Sequence, residues 1–598
     1  MPQRHSSGWI PTVTPPGGGR SRWPIAAALR RTFAKGYGLP QLRADLFAGA
    51  VVGIVALPLS MALAIAVGVP PQHGLYTAVV AGAIVALLGG CKFQVTGPTA
   101  AFVVILAPVV SKHGLAGLLT AGLMAGILLV GMGVARLGSL IEYIPHPVTT
   151  GFTAGIATVI AGLQLKDALG LQTGPLPEHF FQKLVAFWNA RGTARVSELA
   201  IAVATFALLR LLPRLTRKIP APLLALAAVT AAVALIARLV PGFSVSTIGT
   251  RFHTMVGGVD VAGIPPVFPT PSLPWGSMPL GYDAIRELLP AAFAIAMLGA
   301  IESLLSAVIA DGITDTKHDP NSELVALGIG NIVAPFFGGI AATGALARTA
   351  TNIRSGARSP FAAVTHAVVV LAAMLALAPL VAYVPMASLA ALMVFVAWNM
   401  AELHSFIGIA RVAPKSDVVV LLTCYVLTVA TDMVISVAVG FVLAAVLFMR
   451  RMSELTESRL RLDSSQEAEG EGTRVPKGVL LYEINGPLFF GAAQKALRAL
   501  GLQSKGGFKV LIIHLGRVPV IDATGLVALE NTLSGVLKAR RAVILAGPLP
   551  RPRLIFDKAK LEDKHPGLRI VPDLDAALAL AEQLLTDRNG PAELPPDR

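Results

Sequence analysis

The residues best suited to chemistry in this 598-residue chain lie in a polar stretch between two long apolar segments. Residues 338–360, GGIAATGALARTATNIRSGARSP, contain Gly, Thr, Ser and Pro together with Arg348, Arg354 and Arg358. Irregular polar backbone is tolerated at membrane depth only where protein buries it or where it lines a watery cavity. A half-helix beginning near Gly344 would point its free N–H groups, and the positive end of its dipole, into the membrane interior. The stretch therefore predicts a site for an anion.

A similar polar interruption occurs in the first half of the chain, at residues 95–102 (VTGPTAAF). Both stretches contain a Thr-Gly pair, and both interrupt apolar segments. Two Gly- or Pro-broken helices at corresponding places in two halves of a chain are typical of the binding site of a secondary transporter. The alternative is that TGPTAA is only a helix start, with Pro98 in the first turn.

Glu302 is an acidic residue within an apolar segment, AIAMLGAIESLLSAVIADG, and Ser306 follows one helical turn later on the same face. A carboxylate at membrane depth is costly unless it faces a cavity, is paired, or binds a proton or a cation. We therefore expect Glu302 and Ser306 to handle a coupling ion. The alternative is that Glu302 is a structural partner for an arginine such as Arg348.

The composition indicates that a membrane bundle positions these residues. The chain is 54% hydrophobic and 14% charged, with a mean hydropathy of +0.69, well outside the averages of soluble proteins. Its apolar segments are rich in Ala, Val, Leu and Gly, and small residues let helices pack closely in lipid. The net charge of +15 comes without a basic stripe interleaved with aromatic residues. We attribute it to the positive-inside bias of membrane proteins and expect no nucleic-acid partner.

We count about fourteen apolar segments, several of them shorter than the ~20 residues that a straight spanning helix needs. Fourteen divides into seven and seven, and an odd number per half forces the halves into opposite orientations, an inverted repeat. Basic residues at the even-numbered connections place both termini in the cytoplasm. The segments lie near 45–68, 74–90, 97–111, 114–135, 148–165, 195–213, 221–240, 286–310, 323–337, 343–353, 361–380, 385–399, 416–431 and 433–450.

The regions outside the bundle have a different character. Residues 1–42 are basic and rich in Pro and Gly, without the apolar core of a signal peptide, and predict a disordered cytoplasmic tail. Residues 43–451 form the transmembrane domain, and the charged residues 452–474 a linker. Residues 475–590 alternate strand-like runs (VLLYEI, KVLIIHL, AVILAG) with helical patterns, which predicts a small α/β domain.

The sequence contains no pattern that indicates an enzyme. The C-terminal domain has no Gly-rich phosphate loop, and no nucleophile–base constellation appears anywhere in the chain. The two cysteines, Cys91 and Cys424, are far apart and imply neither a disulfide framework nor a metal cluster. We expect no cofactor and no metal.

Several motifs resemble those of the sulfate permease family of anion transporters (SulP, solute carrier family 26). They are ALPLSMALAIAVGVPPQHGLYTAVVAG, VTGPTAAFVVIL, GAIESLLSAVIADGITDTKHDPNSELVALGIGNIVAPFFGGI and ATGALARTATNIRSGARSP. The C-terminal VIDATGLVAL is similar to the signature of a STAS domain, the sulfate-transporter and anti-sigma-factor-antagonist fold. Within the family, IEYIP, PEHF, VAWNM, LTVATDMV and NGPLFFGAA resemble the bacterial aerobic C4-dicarboxylic acid transporters.

The resemblance implies a core domain that moves against a gate domain like an elevator, built from seven-plus-seven inverted repeats, with a cytoplasmic STAS domain. Arg348 belongs to the family's ARTA motif and would supply positive potential near the anion. The substrate would lie between the half-helix starts of the third and tenth segments, at Thr99, Ala100, Gly344, Ala345 and Leu346.

Two positions depart from the family's patterns. Sodium-coupled bicarbonate members have an Asp and a Thr four residues apart in the eighth segment, where this chain has Glu302 and Ser306. A buried Glu can carry a proton, which favours a proton over sodium. Soluble STAS proteins carry a phosphorylatable Ser where this chain has Thr524, two residues after Asp522. Both are candidate regulatory residues; the alternative is that Thr524 only caps a helix beginning at Gly525.

Together these observations predict a proton-coupled transporter of C4-dicarboxylates such as succinate, fumarate or aspartate, in the bacterial inner membrane. Two negative charges need more compensation than two helix dipoles of about half a charge each, and Arg348 would supply it. The alternatives are a sulfate or bicarbonate transporter of the same fold, coupled to protons or sodium, and, from another class, an anion channel or a STAS-linked membrane sensor. We further expect a homodimer and a cytoplasmic protein partner of the STAS domain.

Overall fold

A computed structural model describes residues 25–139, 145–177, 179–215, 220–256, 258–276, 278–431, 433–454, 457–462, 475–489, 493, 497 and 507–586. These residues fall into two units, which divide between Phe441 and Val442.

The helices of the first unit follow the apolar pattern of the sequence. The chain begins with α1 (Ala27–Ala34), α2 (Leu39–Val67), α3 (Gln72–Leu88), β1 (Thr96–Gly97), α4 (Ala100–Val134), α5 (His146–Leu163), α6 (Leu165–Ala168), α7 (Phe180–Asn189), α8 (Val196–Leu215), α9 (Ala221–Leu239), α10 (Ile248–Arg251), β2 (His253–Val256) and β3 (Val259–Ala262). It continues with α11 (Tyr282–Thr314), α12 (Pro320–Val333), β4 (Thr343–Gly344), α13 (Leu346–Arg354), α14 (Phe361–Val381), α15 (Met386–Met400), α16 (Leu403–Val412) and α17 (Lys415–Ala430). The division between the two units falls within the next helix, α18 (Met433–Glu454).

Eight stretches of the described helices have the length and apolar character needed to cross a membrane. They are Leu39–Val67, Ala100–Val134, His146–Ala168, Val196–Leu215, Ala221–Leu239, Tyr282–Thr314, Phe361–Val381 and Met386–Val412. Shorter apolar helices, such as Gln72–Leu88, occur between these stretches in the chain, as the sequence predicts.

A break within α4 completes the match between the helices and the predicted segments. Gly114 has φ 64° and ψ −166°, a conformation that a residue with a side chain rarely adopts, and it divides α4 into two helical pieces. Counted with this break, α2–α5, α8, α9, α11–α15, α17 and α18 supply a helix for each of the fourteen predicted segments.

The helices pack in two groups within this unit. In one group α2 packs against α14, and α4 packs against α11 and α12; in the other α5 packs against α17, and α15 against α5 and α8. Small residues make the closest crossings possible. A Cβ added to Gly126 of α4 would lie 2.7 Å from the carbonyl oxygen of Gly328 of α12, so this contact requires glycine.

The two broken stretches meet in a short antiparallel pair. Thr96 of β1 lies opposite Gly344 of β4, and Gly97 lies opposite Thr343. Helices α4 and α13 begin within three residues after these strands, at Ala100 and Leu346. The pair therefore joins the third and tenth segments and holds both half-helix starts at one crossing.

The predicted disordered tail is wrong for its described part. Residues 27–34 form α1, and α2 already begins at Leu39. Helix α1 is held in place because the Arg31 guanidinium donates hydrogen bonds to the carbonyls of Gly90 and Lys317, and because Ala27 and Ala28 are buried. Residues 1–24 of the predicted tail lie outside the described residues.

The second unit contains a five-stranded sheet in the order β5–β6–β7–β8–β9. Strands β6 to β9 are parallel, and β5 pairs antiparallel with β6. The elements are β5 (Glu457–Leu462), β6 (Val479–Asn485), β7 (Val510–Arg517), α19 (Ala523–Lys538), β8 (Ala542–Ala546), α20 (Pro550–Ala559), α21 (Leu561–Lys564), β9 (Leu568–Val571) and α22 (Leu574–Thr586).

Apolar runs form this sheet because both of its faces are covered. On one face Leu480 and Leu511 pack in a cluster with Leu529 of α19; on the other Leu481 packs in a cluster with Ala577 of α22. The α/β prediction is confirmed.

The predicted linker at 452–474 is wrong in part. Helix α18 continues to Glu454, and residues 457–462 form β5, whose backbone pairs with β6 along its whole length. The charged residues in ESRLRL are the reason that the sequence pattern did not predict this edge strand, and such charges are typical of sheet edges. Residues 455–456 and 463–474 lie outside the described residues.

Candidate functional site

The N-terminus of α13 offers backbone donors, but not at every predicted position. The N–H of Gly344 donates to Ser303 Oγ over 2.8 Å, and the N–H of Ala345 donates to the carbonyl of Val95 over 2.9 Å. The first hydrogen bond of the helix runs from the Thr349 N–H to Ala345 O. The N–H groups of residues 346–348 therefore have no acceptor within the helix, and the free donors begin at Leu346.

The N-terminus of α4 lies across the β1–β4 pair. Thr99 is the N-cap residue, with extended backbone (φ −125°, ψ 159°), but its side chain does not cap the helix. Its hydroxyl instead donates to Oε2 of Glu302 over 2.8 Å. The N–H groups of Ala100 and of the next two residues have no acceptor within the helix. Each half-helix thus presents its positive end at the crossing.

Arg348 links the two half-helices. Its side chain is 4% exposed, and its Nη2 donates to the carbonyl of Pro98 in the turn before α4. Its Nη1 has no hydrogen-bond partner among the described residues. The absence of a side chain at Gly97 makes room for it, because a Cβ there would lie 2.5 Å from Nη1. A buried cation with an uncommitted donor suits an anion as its further partner.

Glu302 lies on the α4 side of the site. It makes no direct ion pair with Arg348 within the part of the chain that the structure describes, and its contact is the Thr99 hydroxyl. The alternative that Glu302 is a structural partner for an arginine such as Arg348 stays a prediction. Glu302 as a whole residue is half-buried, and its carboxylate is held by the Thr99 hydroxyl at the start of α4.

Ser306 and Glu302 have different hydrogen-bond partners, Thr349 of α13 and Thr99 at the start of α4, and their joint role at an ion site stays a prediction. The Ser306 hydroxyl donates to Thr349 Oγ1 over 3.2 Å, and that oxygen also accepts the N–H of Val95 over 3.1 Å. Four residues advance about 6 Å along a helix, so Ser306 lies one turn from Glu302 and contacts α13 through Thr349. In the described residues no group of three or more His, Cys, Asp or Glu side chains is arranged to hold a metal ion.

Three residues that support the crossing were not predicted. Ser303 accepts the Gly344 N–H and lies 3.0 Å from the Thr343 hydroxyl. Asn331 accepts the N–H of Ala342 and donates to its carbonyl, which fixes the chain entering β4. Both residues are polar within apolar helices, and this feature of the sequence could have identified them.

Glu323 is the third of these supporting residues and fixes the chain that enters β1. Its buried carboxylate accepts the N–H groups of Gly90 and Cys91 over 2.8 and 2.9 Å, and the Gln94 amide over 2.8 Å. Helix α12 brings it there, and that helix begins where Asp319 caps it.

In the second unit the predicted capping role of Thr524 is wrong. Helix α19 begins at Ala523, and Asp522 is its N-cap, because the carboxylate accepts the N–H of Gly525 over 2.6 Å. Thr524 is the second residue of the helix and is exposed. A regulatory role for Asp522 and Thr524 stays a prediction.

Comparison with known families matches both units of the chain. The description "Sulfate permease family" matches residues 42–424, and "STAS domain" matches residues 472–577.

Curated relatives align over most of the chain. It is 39% identical to "Putative sulfate transporter YvdB" of Bacillus subtilis, over 89% of this chain and 96% of the relative. It is 30% identical to the bicarbonate transporter BicA of Picosynechococcus, over 90% of this chain and 94% of the relative.

Solved structures resemble it as well. The transmembrane domain of a cyanobacterium bicarbonate transporter BicA is 29% identical, with a TM-score of 0.58, over 68% of this chain and 98% of that one. The inward-facing murine Solute Carrier 26 family member A9 has a TM-score of 0.80 over 93% of this chain and 94% of that one. At 18% identity this second likeness concerns the fold alone.

Proposed function

This chain belongs to the sulfate permease family, and on that premise we propose that it couples the transport of a divalent oxyanion to a proton carried by Glu302. It is a multi-pass membrane anion transporter with a STAS domain, and not an enzyme.

The observation that carries the proposal is the buried Arg348 between two half-helix N-termini. Two helix dipoles supply about half a charge each, and Arg348 supplies a full one, so the positive charges sum to about two. An ionised Glu302 removes one of these, and a protonated Glu302 removes none. A dianion is therefore best compensated when Glu302 carries a proton, so that the two move together.

Sulfate is the first candidate for this dianion, since a relative that shares 39% of its residues carries a sulfate transporter's name. C4-dicarboxylates are the second candidate. The motifs quoted above favour them, and their two carboxylates meet the same charge requirement, but neither of the two curated relatives described above bears such a name. Bicarbonate, the substrate named for BicA, carries one charge and would not need both Arg348 and the proton.

Alternating access would come from relative motion of the two groups of helices. The group containing α2, α4, α11, α12, α13 and α14 carries both half-helices, and the group containing α5, α8, α15 and α17 would form the opposing surface. The site would move with the first group as a rigid body. We further propose the bacterial inner membrane as the location, cytoplasmic termini, a homodimer, and a cytoplasmic protein partner for the STAS domain.

The test is uptake of labelled sulfate into proteoliposomes containing the full chain, under an inward proton gradient. We expect saturable uptake that rises as the external pH falls, and that loses this pH response in Glu302→Gln. Glu287→Gln, which removes an exposed carboxylate from the same helix, is the matched control and should behave as wild type.

Uptake of labelled sulfate and of labelled succinate, each measured with unlabelled sulfate, succinate, fumarate, malate and bicarbonate as competitors, identifies the substrate. Mutual competition among succinate, fumarate and malate, with no effect of sulfate, would transfer the proposal to C4-dicarboxylates. Uptake that never saturates would indicate a channel. An absence of uptake for every anion, in a folded protein, would favour a sensor.

A further inference from the structure

A cavity lined by two cations lies at the C-terminal end of α13, away from the half-helix start. It has a volume of about 360 Å³, within the ~300–1,000 Å³ typical of small-molecule sites. Helix α13 has nine residues, so this end lies about 13 Å along the helix axis from its start. Lys92, Phe93, Thr314, Thr316, Ile353 and Arg358 line the cavity.

The two cations in this lining, Lys92 and Arg358, lack acidic partners among the described residues. Neither Lys92 nor Arg358 forms an ion pair with a carboxylate in the part of the chain that the structure describes. Burial, together with the nearby charges of Lys35 and Arg31, holds the pKa of the Lys92 ammonium below its usual value. The positive potential at Lys92 is therefore reinforced by its neighbours.

The carboxylates closest in contact with this lining are engaged elsewhere. Asp45 accepts the backbone N–H groups of Arg358 and Ser359 over 2.6 and 3.0 Å, and the Tyr37 hydroxyl over 2.8 Å. These bonds fix the Arg358 backbone and leave its guanidinium free to face a ligand.

The carboxylate on the other wall is similarly committed. Asp311 accepts the Thr316 hydroxyl over 3.0 Å and the His318 N–H over 2.8 Å. The Thr314 hydroxyl donates to the carbonyl of Ala310. Since both threonine hydroxyls already donate, recognition of an anion falls on Lys92 and Arg358.

We propose that this cavity binds a phosphate group that carries an apolar substituent. Arg358 presents a planar fork that matches phosphate oxygens, and Lys92 a point charge. Phe93 and Ile353 supply apolar contact for the adjoining carbon atoms. Two sources share this chemistry, the headgroup of an acidic phospholipid and a free phosphate compound.

A ligand in this position would bridge three parts of the transport bundle. Lys92 belongs to the segment that leads into β1, Thr314 ends α11, and Arg358 follows α13. These are the elements that carry Thr99, Glu302 and Arg348. The bound phosphate group would therefore brace the elements of the transport site from the side opposite the anion.

The test is direct binding, so its outcome is independent of the transport proposal. Delipidated full-length protein is titrated with phosphatidylglycerol or phosphatidylcholine and examined by native mass spectrometry, and inorganic phosphate binding is measured by equilibrium dialysis. We expect saturable binding of phosphatidylglycerol to wild type, at least tenfold weaker in the double variant Lys92→Gln/Arg358→Gln. Lys92→Arg, which keeps the charge, should bind as wild type does.

The matched control is Arg214→Gln/Arg238→Gln, which removes the same charge from exposed positions on α8 and α9. If the double variant loses binding of phosphatidylglycerol only, the ligand is a lipid headgroup. If it loses binding of inorganic phosphate as well, the cavity recognises the phosphate group itself. Loss of phosphate binding in the double variant, with phosphatidylglycerol binding unchanged, would mean that the cavity holds a free ion without an apolar substituent, and overturns the proposal. Equal affinity in wild type and the double variant, equal weakening in the control, or no binding to wild type overturns the proposal.

Discussion

At the scale of single residues, Arg348 is the group on which anion affinity depends most. One guanidinium nitrogen donates to the Pro98 carbonyl, and another has no hydrogen-bond partner in the part of the chain that the structure describes. Arg348→Gln should raise the KM for the anion at least tenfold, because a full charge leaves a buried site. Arg348→Lys keeps the charge but loses the planar guanidinium, so its KM should lie between those of the wild type and of Arg348→Gln.

Arg354→Gln is the control for this prediction, since Arg354 is an exposed arginine in the last turn of the same helix. The measurement is the concentration dependence of uptake, with thermal unfolding to confirm that each variant is folded. An Arg348→Gln variant with wild-type KM would remove Arg348 from the site.

Gly97 offers a second prediction at this scale. The Cβ of Gly97→Ala would lie 2.5 Å from Nη1 of Arg348. The end of a long side chain can move, so we expect little loss of stability but a displaced guanidinium. The KM should rise several-fold while the unfolding temperature changes little. Gly131→Ala, where a Cβ would meet no atom within 4 Å, should change neither quantity. A large drop in unfolding temperature would instead indicate that Gly97 serves only the backbone.

At the scale of elements, the broken stretches stay in place because α12 supports them. Glu323 accepts two backbone N–H groups and the Gln94 amide. Glu323→Gln keeps an oxygen for the backbone but turns an N–H₂ group toward the Gln94 donor. We expect a loss of about 1–3 kcal/mol of stability, as for a buried hydrogen bond to a charged group, and reduced uptake.

The exchange Glu323→Gln/Gln94→Glu tests this account. It restores a donor opposite an acceptor, so it should recover most of the unfolding temperature and of the uptake lost in Glu323→Gln. Gln94→Glu alone would bring two carboxylates together and should be the least stable of the three. If the double variant is no better than Glu323→Gln, the Gln94 contact does not contribute.

The positions of the helices were predictable from the sequence wherever the length of an apolar run determines them. Gly and Pro within apolar runs identified both half-helices, and the β1–β4 pairing confirms that they meet. The partner of Ser306 was not predictable, because helical periodicity specifies the face but not which neighbour that face contacts. Helix α1 and strand β5 were not predicted for a related reason. Hydrogen bonds to distant parts of the chain hold these polar sequences in place, and the local sequence does not reveal such bonds.

At the scale of the whole molecule, the charge moved per transport cycle follows from the number of groups that exchange protons at the site. Glu302 is the carboxylate in contact with the half-helix start, and it carries one proton. One sulfate with one proton transfers a net charge of about −1 into the vesicle. An inside-positive potential should therefore accelerate uptake, and an inside-negative potential should slow it.

A potassium gradient with valinomycin sets this potential, and sulfate uptake is then measured at fixed pH on both sides. In Glu302→Gln no proton accompanies the anion, so any remaining uptake should respond to the potential about twice as steeply. Uptake that ignores the potential would mean that two protons move, or that the substrate is singly charged like bicarbonate. Bicarbonate with one proton would be electroneutral, which makes the potential dependence the measurement that separates a dianion carrier from a bicarbonate carrier of the same fold.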